Sequence, residues 1–529
     1  MITAGQLRYS VAVWLIGLLY VAPGRSADDW FLPDDLRSPE AMAARVDELL
    51  EERWQTAGVQ PAECSSDSEF LRRAYLDLNG VTPPVTVVRE FLADTNTDKR
   101  ARLIDRLLAS PRYANHMANT WRQVLVPDGL SPDQAPNIVG LQDWLREQFA
   151  ENLPYDAMVA EFLIADRAGS TGPGVFYTSL NLEPEKLAAR TAQVFLGLQM
   201  QCAQCHDHPF DSWTQQDFWG YAAFFARVQR QGNGRARMGE YLIDTARGEV
   251  KIPDSEETVL PKYPAGRWAD ADEGGTRRQQ LSIWMASRDN PFLPRALVNR
   301  VWAHLFGRGF IDPVDDMSPQ NVASHPELLN ELSEYFARSG FDIQRLIRTL
   351  VSTRAYQLSS AYDGEHPSAE LFAWMPTKTL TAEQLYECMQ PLLGLDGLPN
   401  GDDSMDAVTP WSDPRRQQFL LLMQGPNATP LEFDRGVPQA LMLMNGADMD
   451  GATHPDQGRL LTALAAPFLT DEQRVETLYL ATLTRPPTAD ENAKLTEYLG
   501  TQQSSHEKLA ALGDIVWVLV NSAEFTLNH

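Results

Sequence analysis

From residue 38 onward, apolar residues recur at helical spacing with few interruptions, and the stretches are punctuated by helix starts and stops. In "SPEAMAARVDELLEERW", Ser38 stands as an N-cap and Pro39 at the first helical position. Proline is tolerated there because the first N–H groups of a helix have no intrahelical acceptor. "SEFLRRAYLDLNG" stops on Asn79-Gly80, and breaks are expected at Ser110-Pro111 and at Pro154. "PEKLAARTAQVFLGLQMQCAQCH" reads as one long helix running into a pair of cysteines. "SWTQQDFWGYAAFFARV" reads as the next, with Ser212 and Gln215 at capping-box spacing.

Between Gln229 and Gly275 the composition shifts to Gly, Pro and charge. Within it, "EYLIDTARGEVKIPD" alternates as strands do and is expected to form a hairpin turning near Arg247-Gly248. Helical patterns then resume, interrupted by a Gly-Asp-rich loop after "TAEQLYECMQPLLG". The expected fold is mainly α: two helical domains, residues 38–228 and 276–529, with a small β-hairpin insert or linker at 229–275 between them. At 529 residues the chain exceeds a single core, since domains run to about 100–200 residues. Hydrophobic residues make up 43% of it, which supplies real cores and argues against wholesale disorder.

The net charge is −26, from 45 basic and 71 acidic residues. Nucleic-acid binding needs a basic footprint, so a nucleic-acid partner is not expected. The N-terminus, "MITAGQLRYSVAVWLIGLLYVAPGRSADDW", has Arg8 as its positive flank, an apolar run from Val11 to Ala22, and small residues at Ala22-Pro23-Gly24. This is the pattern of a secretory signal peptide over residues 1–24, with an uncleaved anchor as the alternative. The mature protein is then expected to be exported, periplasmic or cell-surface, with no stable membrane span.

Cysteine is scarce: four in the chain, two of them in "QMQCAQCHDHPFDSW". Cys202, Cys205 and His206 make C-x-x-C-H. In c-type cytochromes two thiols at this spacing join the haem vinyl groups and the adjacent imidazole ligates iron. On a helical turn, residues i, i+3 and i+4 share a face, so all three groups could meet one porphyrin. Haem c is therefore the first expected cofactor, with His116 as a distal ligand and an external protein as redox partner. A non-haem zinc or iron ion is the alternative, held by the thiolates with His206 and His208. A redox disulfide and a purely structural thiol pair complete the readings. Cys64 and Cys388 could pair with each other in an oxidising compartment.

A second constellation lies downstream. Asn299, Arg300 and His304 can share a helix face in "NPFLPRALVNRVWAHLFGRGF", and "DPVDDMSPQNVASHPELL" adds Asp315, Asp316 and His325. Such a mixture could form a hydrolytic or anion-binding pocket. The structural reading is that Arg300 bridges helices and Ser324-His325-Pro326 starts one. The chain holds no G-x-S-x-G, Walker, H-E-x-x-H or dinucleotide fingerprint.

Long motifs carry a resemblance: "FLRRAYLDLNGVTPP", "DKRARLIDRLLASPRYANHMANTW", "RTAQVFLGLQMQCAQCHDHPFDSWTQQDFWGYAAFFARV", "NPFLPRALVNRVWAHLFGRGFIDPVDDM", "SHPELLNELSEYFARSGFDIQRLIRTLVSTRAYQ", "VPQALMLMNG" and "WVLVNSAEFTLNH". They are similar to a two-domain family abundant in planctomycete-type bacteria. Its first half is a cytochrome-like domain (PSCyt type) and its second a companion domain of unknown function (PSD type). The resemblance implies export, a helical fold, and that Cys202 to Phe210 is the family's own motif. It does not imply an activity. Many relatives carry an additional cytochrome c module with its own C-x-x-C-H; no such motif surrounds Cys64 here, so electron transfer would need an external partner.

Overall fold

The computed structural model describes residues 38–126, 135–167, 172–231, 241–264, 266–270, 274–287, 290–393, 413–423, 437–455 and 458–529. The expected signal peptide and the Gly-Asp-rich loop at 394–412 lie outside the described residues. The first half is built from α1 (Pro39–Ala57), α2 (Asp67–Asn79), α3 (Val85–Ala93), α4 (Lys99–Leu108), α5 (Pro111–Leu125), α6 (Ala135–Ala150), α7 (Tyr155–Leu163), α8 (Gly174–Ser179), α9 (Pro184–Thr191) and α10 (Gln215–Ala222). Short strands follow: β1 (Val228–Gln231), β2 (Tyr241–Asp244), β3 (Val250–Lys251) and β4 (Thr258–Val259). The helices resume as α11 (Arg277–Met285), α12 (Phe292–Phe306), α13 (Pro326–Arg338) and α14 (Ile343–Ser352). After β5 (Lys378–Thr379) come α15 (Ala382–Leu393), α16 (Pro414–Met423), α17 (Val437–Asn445), α18 (Ala447–Thr453), α19 (Arg459–Leu464), α20 (Asp471–Thr482), α21 (Ala489–Gly500), α22 (Ser505–Val520) and α23 (Ala523–Thr526), and then β6 (Leu527–Asn528). The protein is mainly α, as its periodicity requires.

Local signals place the helix ends. The Ser38 and Ser110 side chains accept from the N–H groups of Ala41 and Arg112, α2 ends at Gly80 in the left-handed conformation, and α6 and α7 are split before Pro154. Three expectations are corrected. The hairpin at Arg247-Gly248 does not form: β2 pairs antiparallel with β1 (Val228 opposite Asp244), and β3 pairs with β4. The carboxylates beside the would-be turn are instead held by arginines, Asp244 by Arg278 and Glu249 by Arg227 and Arg277. The cap of α10 is Thr214, in a reciprocal capping box with Asp217, and Ser212 stays in the preceding loop. The helix that should run into the cysteines stops short of them, as described below.

α2 is the centre of the assembly, and every residue from Phe70 to Asn79 is buried. Three of these are charged, and burying a charge costs several kcal/mol unless it is paired. The Arg72 guanidinium donates to the carbonyls of Thr482 (3.0 Å), Glu524 (3.1 Å), Phe525 (2.8 Å) and Leu527 (3.2 Å). Arg73 donates to the carbonyls of Tyr356 and Leu358 and pairs with Glu69 at 2.7 Å. The Asp77 carboxylate accepts from Lys378 (2.6 Å), Asn528 (2.7 Å) and the Tyr356 hydroxyl (2.8 Å). Burial pushes the Lys378 ammonium below its ordinary range, and Asp77 opposes that. A helix near the start of the chain is thus fastened to its last residues, with β6 paired on β5 alongside.

Two apolar cores lie among the described residues. The larger runs from Met42 to Met375 and includes Leu480. The smaller combines Leu76 with residues from Leu380 to Phe525. The larger core crosses the strand segment, so α11 to α14 pack with α1 to α10 as one body.

Candidate functional site

The approach to the cysteines begins in α9. After Thr191 the helix widens into a π turn, Ala192–Leu196, and Gly197 ends it with φ +67°. Glycine is required there twice over: the left-handed backbone disfavours a side chain, and a Cβ would lie 3.0 Å from Met317 Cγ. Gln201–Gln204 then forms one turn of 3₁₀-helix, with Met200 and Ala203 buried as its anchors. Cys202 lies in this turn and Cys205 is its C-cap, and both are exposed free thiols. The i, i+3, i+4 face expected of an α-helix is replaced by this tighter turn, with His206 just beyond its end.

The turn is fastened from behind. The Trp219 indole N–H donates to the Gln204 carbonyl (3.1 Å) and the Gln215 amide to the Cys205 carbonyl (2.7 Å). The Asp207 carboxylate accepts from the Gln215 N–H (2.9 Å), and His208 N–H closes the loop on the Trp213 carbonyl (2.7 Å). The start of α10 therefore holds the end of the motif.

The two histidines use their rings in opposite senses. His206 Nδ1 lies 2.8 Å from the Asp207 carbonyl oxygen. A carbonyl only accepts, so Nδ1 carries a proton, and in the neutral ring the lone pair is on Nε2. His208 Nδ1 instead accepts from the Phe210 N–H (3.3 Å), so in the neutral ring Nε2 carries the proton. In the neutral rings the unengaged lone pair is therefore on Nε2 of His206, while that of His208 is taken by the Phe210 N–H. Among the described residues no three His, Cys, Asp or Glu side chains converge as a metal site.

The loop after α12 supports this segment from the other side. Met317 N–H donates to the Gly197 carbonyl (2.8 Å). The Asp315 carboxylate accepts from the amides of Gln193 (2.6 Å) and Gln199 (3.2 Å), and Gln320 donates to the Phe210 carbonyl. The Cys–His turn is therefore clamped between α10 and a loop from the second half of the chain.

The family model PSCyt2, described as a protein of unknown function (DUF1549), matches residues 45–230. PSD1, described as a protein of unknown function (DUF1553), matches residues 277–499. The chain belongs to this two-domain PSCyt2–PSD1 family. No curated protein and no solved structure matches it. The Cys–His turn thus lies in the PSCyt2 segment, and Asp315, Met317 and Gln320, which brace it, lie in the PSD1 segment.

The remaining sequence-selected residues of the PSD1 segment are dispersed rather than gathered into one pocket. Asn299 braces the loop after α12, donating to the carbonyls of Ile311 and Val314 and accepting from the Ile311 N–H. Arg300 reaches back to the Val194 carbonyl of the π turn (3.4 Å), and Asp316 accepts from the Ser318 N–H. His304 turns the other way, with Nε2 3.0 Å from the Asp77 carbonyl. His325 packs on Phe310 and Phe372, and burial pushes its pKa down to about 4. These residues diverge because α12 is buried on several sides, and each polar group answers a different neighbouring segment.

His116, on α5, is brought together with His304, their rings 5.6 Å apart. It fills the space over Gly80 (φ +69°), where a Cβ would come within 2.5 Å of Nδ1. Its Nε2 has no hydrogen-bond partner, and burial, with His304 adding to it, pushes its pKa down to about 3. Cys64 and Cys388 stay free: Cys64 is exposed and bridged to Leu358, while Cys388 is buried in the smaller core, where burial pushes its thiol up to about 11. Sequence reasoning missed Gln193, Gln199, Gln215, Met317 and Gln320. Their roles are bonds to backbone or to remote carboxylates, and no local spacing marks such bonds.

Proposed function

We propose that the Cys–His turn would hold a covalently attached haem c, through thioethers at Cys202 and Cys205 and with His206 as a ligand to its iron, in an exported protein that passes electrons to an external partner. The observation that carries this reading is a pair of exposed thiols, one in a 3₁₀ turn and one at its C-cap, followed by a histidine whose Nδ1 lies against the Asp207 carbonyl. A backbone acceptor on the far nitrogen fixes the tautomer and orientation that ligation needs, and raises the basicity of the ligating nitrogen. The bound group would supply one-electron chemistry. The chain's own part is to hold the turn through Gln215 and Trp219 and, in the neutral His206 ring, to keep the proton on Nδ1. Export permits this chemistry, and no helix of the described residues is long and apolar enough to cross a membrane.

The alternative, a non-haem zinc or iron site that adds His208, is less favoured, because His208 spends Nδ1 on the Phe210 N–H. His116 supports a distal role least, being packed against His304 while the turn is exposed. Expression of the full chain in a periplasm competent for cytochrome c maturation tests the proposal. Haem that survives denaturation, with a c-type pyridine haemochrome spectrum, is expected, and Cys202→Ala with Cys205→Ala should remove it. Stoichiometric zinc or iron without porphyrin would transfer the site to the alternative.

A further inference from the structure

The face around the Cys–His turn is built from two segments with an unusual charge pattern. Residues 191–226 contain no Lys or Arg, and neither do residues 309–337. The carboxylates on this face take neutral donors: Asp207 the Gln215 N–H, Asp211 the Ser212 N–H, and Asp316 the Ser318 N–H. Other acidic side chains of the same two segments lie against cations from outside them, Asp217 with Lys262, Asp312 with Arg308 and Glu331 with Arg45. The same two segments expose large apolar side chains: Phe210 is 71% and Val322 79% exposed. Gln320, two residues before Val322, binds the Phe210 carbonyl and joins the two segments.

An apolar centre with a one-signed rim is the anatomy of a transient protein-docking surface. A second copy of this chain would bring the same acidic rim against itself, which like-charge repulsion opposes. We propose that this face docks a protein partner whose own contact surface is apolar at its centre and ringed by Lys and Arg. Only the partner's character as an electron carrier rests on the haem reading; the docking surface rests on charge and exposed apolar area.

The test uses the full holo-protein with a small, lysine-rich c-type cytochrome as probe, and the same cytochrome with succinylated lysines as the charge-reversed control. Carbodiimide coupling followed by peptide mapping should place the links at Asp207, Asp211 and Asp316. Binding should weaken with salt and be lost with the succinylated probe. Asp211→Lys with Asp316→Lys should weaken it about tenfold, and Glu52→Lys with Glu472→Lys, on α1 and α20, less than about twofold. Phe210→Ser should weaken it without changing its salt dependence. Links scattered over the acidic surface, equal weakening by both charge reversals, or no salt-sensitive binding would overturn the proposal. Links on this face in protein that carries no haem would keep the docking surface and end the redox reading.

Discussion

His206 and His208 sit two residues apart and present opposite ring nitrogens to their loop, so their substitutions should separate. His206→Ala is expected to reduce haem per protein severely, by pyridine haemochrome, while His208→Ala retains it. Equal loss in both would favour a site that uses two histidines. A second residue-scale prediction concerns His116. Burial holds its folded-state pKa near 3, below the ordinary 6.5, so the folded ring refuses a proton that the unfolded chain accepts. Its neutral, buried state contributes fully above pH 6.5, and that contribution is lost as pH falls from 6.5 toward 3. By pH 5 the loss is up to about 2 kcal/mol. Urea midpoints measured from pH 7 to pH 5 should fall less for His116→Leu than for the wild type; equal slopes would show that His116 is not the group responsible. At this scale the sequence was informative about chemistry and silent about partners. C-x-x-C-H names the thiols and the imidazole, but which nitrogen is protonated depends on carbonyl positions that only the folded loop defines.

Among the elements, α2 concentrates the most consequence in the fewest residues. Arg72→Leu keeps the apolar volume but removes the donor from four carbonyls, three of them in the C-terminal segment, a loss of about 3–5 kcal/mol. Hydrogen exchange should rise specifically over residues 523–529; unchanged protection there would show that the tail is held by other contacts. Thr214→Ala, which breaks the capping box of α10, should cost about 1 kcal/mol. Helix ends were legible at Ser38, Ser110, Pro154 and Asn79-Gly80, whereas at α10 the Ser212 spacing was followed in place of the Thr214–Asp217 box. Two errors share a cause. Spacing in "EYLIDTARGEVKIPD" shows strand character but not the choice of partner, and β1 lies outside that window. The α9 pattern stays helical past Thr191, yet Gly197 is held left-handed by Met317, some 120 residues away in sequence.

For the whole molecule, the two family segments do not correspond to two independent cores. The larger core takes residues from both, and α2 is tied to Tyr356, Lys378 and Asn528. A fragment of residues 38–275 should therefore lack a cooperative thermal transition by circular dichroism, whereas the full chain melts cooperatively; a cooperative melt of the fragment would show that the PSCyt2 segment folds without its companion. Composition and periodicity made the mainly-α class legible, because helical burial repeats along one segment. The clamp on the Cys–His turn was not, because it joins Gly197 and Phe210 to Met317 and Gln320 across the family boundary.

The most direct measurement is the mass of the tryptic peptide spanning residues 191–227 in protein purified from its native host. Attachment predicts that this peptide carries one haem and that neither Cys202 nor Cys205 reacts with an alkylating reagent. A peptide of unmodified mass, with both thiols alkylated, would contradict it.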